Sequence, residues 1–106
     1  MSGIWEIVKR GGENNKRLNV SLVRTELTGV AMGLRTRAAA KANIEDRFGR
    51  ELTTEETADL VAIADQFETG TVQDRIVYAL KLEMTLNAAE LGLVEEAGFR
   101  SVLGIS

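Results

Sequence analysis

Residues 72–93 read VQDRIVYALKLEMTLNAAELGL. Placed at about 100° per residue on a helix, this stretch carries two apolar stripes on nearly opposite sides. One consists of Val77, Leu80, Met84 and Leu91; the other of Ala79, Leu82, Leu86, Ala89 and Leu93. Narrow polar lines separate them, with Asp74, Lys81 and Thr85 on one side and Glu83, Asn87 and Glu90 on the other. A helix with one apolar stripe lies on a core, whereas a helix with two requires neighbours on both sides. Both stripes keep the alternating three-and-four spacing of coiled-coil-like packing, with Asn87 filling the one gap in the first. The stretch therefore reads as the central helix of an all-α fold.

Two uses of the paired stripes are open. Both can serve the core of a monomeric bundle. Alternatively, one belongs to the chain's own core and the other meets a second copy or a partner, with Asn87 setting the register. A chain of 106 residues leaves few helices to cover both stripes, which favours self-association. The candidate interface is Val77, Leu80, Leu82, Met84, Leu86, Asn87 and Leu91, joined by Trp5 near the N-terminus.

Thr71 and Asp74 form a capping pair at the head of this helix, and Gly92 follows its last residue, Leu91. The helix before it starts at Thr53, with Glu56 three residues on in a capping-box pattern and Glu55 and Glu56 in the first turn. Leu60, Ile63, Ala64 and Phe67 form its buried face, and it ends near Glu68.

A longer first helix is expected from about Asn19 to Phe48, closed by Gly49. Val20, Val23, Leu27, Val30 and Leu34 make its stripe. Mediocre helix formers crowd its start, so residues 18–25 read as either helix or strand. Gly29 and Gly33 form a GxxxG whose glycines face away from that stripe, and it reads as incidental in a soluble chain. A short last helix is expected over Val94–Leu103. Residues 1–15 read as an N-terminal arm and linker, and residues 16–106 as a single helical domain: a small bundle of three to four helices. In the arm, Trp5 with Ile4, Ile7 and Val8 either docks on its own core or anchors to another subunit.

Proline, cysteine and histidine are all absent. Without proline, long helices are permitted almost everywhere. Lack of cysteine removes disulfides, zinc–thiolate sites and thiol nucleophiles. Lack of histidine removes the commonest general base near neutral pH and the commonest transition-metal ligand. No nucleotide-binding glycine pattern occurs, and Asp65 to Ile76 fails as a calcium loop because Phe67 and Ile76 occupy ligand positions. Carboxylate pairs such as Glu55 with Asp59 read as solvated helix faces. No catalytic residue, cofactor or metal site is expected, and the chain reads as not an enzyme. No stretch suggests a signal peptide or membrane span, so a cytoplasmic location is expected.

Charge is unevenly placed. Residues 1–50 hold ten Lys or Arg against five Asp or Glu, and residues 51–106 hold three against eleven. Arg35, Arg37, Lys41 and Arg47 form a candidate basic patch, extended by Arg50. Beyond a short turn stand Glu51, Glu55, Glu56, Asp59, Asp65 and Glu68. Antiparallel helices would let the two groups neutralise one another. The competing reading, phosphate contacts in a small nucleic-acid-associated regulator, is opposed by a net charge of −3. A helix-turn-helix is opposed by a long turn and an acidic, apolar second helix. The reading that results is a non-catalytic helical interaction or assembly module, expected to self-associate, with the nucleic-acid-associated regulator as the alternative and an enzyme of unrecognised type third.

Overall fold

Two threonines set the middle of the chain. Thr53 Oγ1 accepts the Glu56 N–H at 3.1 Å while Glu56 Oε1 accepts the Thr53 N–H at 2.8 Å. Thr71 and Asp74 repeat the exchange at 3.1 Å in both directions. Each exchange satisfies two of the N–H groups that a helix start leaves without partners, and the sequence spacing anticipates both.

The computed structural model describes residues 3–10 and 16–106. Among them the chain forms six helices: α1 (Ile4–Arg10), α2 (Lys16–Ala31), α3 (Arg37–Phe48), α4 (Thr54–Glu68), α5 (Val72–Glu90) and α6 (Glu96–Leu103). The all-α expectation holds. The count of three to four helices does not, because the expected first helix is two and the N-terminal segment supplies another.

The break between α2 and α3 has a local cause. Gly33 takes φ +75°, and two bonds close the end of α2: Leu34 N–H to the Gly29 carbonyl at 2.8 Å, and Gly33 N–H to the Val30 carbonyl at 3.1 Å. This is the Schellman closure that glycine favours. Thr36 then starts α3, its Oγ1 accepting the Ala39 N–H at 3.1 Å. Leu34, placed on the apolar stripe by spacing alone, consequently stands 76% exposed. Residues 18–25 are helical, not strand.

Neither glycine of the GxxxG is incidental. A Cβ on Gly29 would lie 2.4 Å from Arg35 Nε, so the missing side chain makes room for the arginine. A Cβ on Gly33 would meet nothing within 4 Å. Its substitution is therefore a conformational loss alone. Gly33→Ala should destabilise the fold by about 1–2 kcal/mol, read as a lower urea midpoint with an unchanged slope.

The N-terminal segment is part of the core. Ile4, Trp5, Ile7 and Val8 of α1 are all buried, and the Trp5 ring lies 5.1 Å from that of Phe99 on α6. Trp5 thus serves its own chain, and the reading of it as an anchor for a partner is corrected. Residues 11–15, expected as a linker, lie outside the described residues.

Asp59 of α4 fixes this arrangement. Its Oδ2 accepts the Ile4 N–H at 2.9 Å, and Arg100 of α6 grips both carboxylate oxygens at 2.9 and 2.8 Å. A side chain on Gly3 would collide with Asp59 Oδ2, at 2.1 Å. One buried carboxylate therefore ties α1, α4 and α6 together, although its sequence context suggests a solvated face.

Tyr78 of α5 closes the other side of α6, its O–H donating to the Leu103 carbonyl at 2.6 Å and its ring edge-on to Phe67 at 5.0 Å. Burial pushes its phenol up to about 12. The neutral phenol is favoured in the fold, so its contribution is complete below the unfolded value of about 10 and is lost as pH rises towards 12. Thermal scans across that window should show a steeper alkaline loss for the wild type than for Tyr78→Phe.

Candidate interaction face

Helix α5 packs on α1, α2, α4 and α6, and all four lie on one side of it. That side carries Ala79, Leu82, Leu86 and Ala89, each at most 5% exposed, together with Phe67, Leu27 and Phe99 from the neighbours. Leu82 and Leu86, proposed as interface residues from spacing, are fully buried core. Leu93, on the same stripe by spacing, is 76% exposed because the helix has ended. Thr85, assigned to a polar line, is buried, its hydroxyl satisfied by the Lys81 carbonyl at 2.6 Å.

The opposite stripe is bare. Val77 is 53% exposed, Leu80 56%, and Met84 and Leu91 71% each. Two stripes do not give this helix neighbours on both sides; among the described residues nothing covers the second face. Val72 and Ile76 extend the face towards the N-terminus, both exposed. Sequence reasoning left them out, although Val72, Ile76, Leu80 and Met84 follow a four-residue ridge that marks them.

Asn87 sits at the edge of the face, half-buried. Its Oδ1 accepts a hydrogen bond from Arg24 Nη1 of α2 at 2.8 Å. Its polar group is thus engaged within the chain, in place of the register-setting role read from spacing. Asp74 and Lys81 border the face on one side, and Glu83 and Glu90 on the other. Beyond Glu83 a groove of about 300 Å³ separates α5 from Met32, Leu34 and Arg35.

The basic residues are largely engaged. Arg35 Nη1 meets Glu26 Oε2 at 2.6 Å, and Asn43 binds the other oxygen of that buried carboxylate at 2.9 Å. Arg37 reaches across to α4, 3.0 Å from Asp65 and 2.5 Å from Glu68, and these two carboxylates hold its guanidinium above the usual arginine range. Lys41 pairs with Glu45 at 3.1 Å. The Glu45 carboxyl is held below its ordinary value, first by the Leu52 N–H and then by Lys41.

Arg50 grips Glu56 through two bonds of 2.9 and 3.0 Å. Burial pushes the Glu56 carboxyl up, but Arg50 and the Thr53 N–H together outweigh it, and the net direction is down. Arg47 is exposed on α3. Neutralisation across antiparallel helices, one of the two readings of the charge layout, is made by Arg37 between α3 and α4, whereas Arg35 pairs with α2 and Lys41 within α3.

A cleft of about 340 Å³ is lined by Asp59 and Arg100, which bind one another, with Glu55 and Glu96 at its rim. Among the described residues no group of three or more metal-ligating side chains gathers, and no helix is long and apolar enough to cross a membrane. No known protein family, curated protein or solved structure matches the chain.

Proposed function

We propose that this protein is a non-catalytic helical assembly module that self-associates through the outer face of α5. The observation that carries the reading is the exposure of Val77, Leu80 and Met84, between 53% and 71%, along one face of α5, with Leu91 at its C-cap also 71% exposed. Contiguous apolar patches of this kind are uncommon on monomeric surfaces and mark sites of association. The opposite stripe of the same helix already supplies the core, so folding alone does not account for the outer one.

Phosphate recognition draws less support. Arg35, Arg37 and Lys41 already have carboxylate partners, and a chain of net charge −3 repels a polyanion. Light scattering across a concentration series should show a mass that climbs from 11.6 kDa towards a multiple of it. A strict monomer at about 1 mM, where even an interface of roughly millimolar Kd populates dimer, would remove the proposal.

A further inference from the structure

We propose that the occupant of the α5 face is a second copy of α5 running antiparallel, with Val77 against the partner's Leu80 and Gln73 against the partner's Met84. This rests on the self-association reading and adds its geometry. The seam positions are Gln73, Val77, Leu80, Met84, Asn87 and Leu91. One edge of the seam carries Asp74, Lys81 and Ala88, and the other Ile76, Glu83 and Glu90.

Charge selects among the possible pairings. When two helices pack antiparallel along such a seam, each edge meets its own copy, and opposite charges there stabilise while like charges oppose. The pairing of Val77 with the partner's Leu80 sets Asp74 beside the partner's Lys81. Symmetry repeats that contact, giving two opposite-charge pairs, while Ile76 lies beside the partner's Glu83. Sliding one heptad in one direction sets Lys81 against Lys81 and Glu83 against Glu83. Sliding one heptad in the other sets Asp74 against Asp74. A further slide past the first brings Glu83 against Glu90 twice.

A parallel pair lacks any opposite-charge contact along the seam. It also sets Asn87 against its own copy, although the Asn87 oxygen already accepts from Arg24 at 2.8 Å. The antiparallel pairing overlaps residues 72–85, about 20 Å of helix, and leaves Asn87 outside it with that bond intact. Lys81 is exposed, and Asp74 uses only Oδ2 in its cap. Both are therefore placed to meet a partner. The overlap is short, which puts the interface at the small end of the known size classes and makes the dimer concentration-dependent.

The absence of cysteine provides a clean test. Gln73→Cys and Met84→Cys are made separately, both at exposed positions where folding is undisturbed. The two variants are mixed at high concentration and oxidised. In the proposed pair, residue 73 lies level with residue 84 of the other copy. Each residue is about 16 Å along the axis from its own counterpart, beyond the reach of a disulfide.

The expected product is the mixed covalent dimer, about tenfold over either homodimer. Homodimers of each variant in excess would overturn the pairing in favour of a parallel one and leave self-association standing. No cross-link in a chain that light scattering finds dimeric would also overturn the pairing alone. No cross-link in a strict monomer would remove the pairing and the self-association reading together.

Discussion

Leu82→Lys should abolish the fold, whereas Met84→Lys, two residues along the same helix, should leave stability within about 0.5 kcal/mol of the wild type. Leu82 is 0% exposed and Met84 71%. Replacing Leu82 removes a buried leucine, a loss of about 2–5 kcal/mol when no charge is involved, and adds an ammonium that must be buried without a partner or deprotonated. A domain of this size has about 5–15 kcal/mol in all. Met84→Lys exchanges one solvated side chain for another in an isolated chain, and its effect is confined to assembly. Circular dichroism on heating separates the two variants, and a folded Leu82→Lys chain would contradict the packing of α5.

Asp59→Ala is the second change of large expected effect. It takes the carboxylate from Arg100, which keeps its bond to the Ser106 oxygen, and leaves the Ile4 N–H without its acceptor inside the fold. Losing the charge-assisted bonds of this part-buried pair and orphaning a buried N–H costs about 2–4 kcal/mol, which lowers the melting temperature by on the order of 15 °C in a domain of this length. Asp59→Asn keeps one acceptor oxygen and should lose less. The double change Asp59→Leu with Arg100→Met should lie between Asp59→Ala and the wild type. It removes both charges from the interior yet still orphans the Ile4 N–H. Urea unfolding of the four chains measures the order, and equal stability of Asp59→Ala and the wild type would contradict the role given to this pair.

The parts of this structure legible in sequence are those decided within one helical turn. Thr53 with Glu56 and Thr71 with Asp74 announced the starts of α4 and α5, because a capping box joins residues three apart and needs no tertiary partner. Gly49 and Gly92 marked helix ends for the same reason. The α2–α3 break was masked by a stripe that keeps helical period straight through it, from Val20 to Leu34. Its signals were Gly33 and Thr36, a cap glycine and a cap threonine three residues apart.

Burial of α1 and of Asp59 was not legible, since both depend on Arg100 and Phe99, far along the chain. The two stripes of α5 were read correctly as two faces. Their division into core and bare surface needed the positions of α1, α2, α4 and α6, all of which fall on the Leu82 side.

Self-association is proposed on the Met84 side of α5 and not on the Leu82 side. Methyl NMR on serial dilution distinguishes the two sides, because a methyl that leaves an interface changes its shift. Met84 and Leu80 methyl signals should move together as concentration falls, while those of Leu82 and Leu86 stay fixed. Signals of Met84 and Leu80 that hold still from about 1 mM to about 10 μM, a span that covers weak and intermediate affinities, would contradict it.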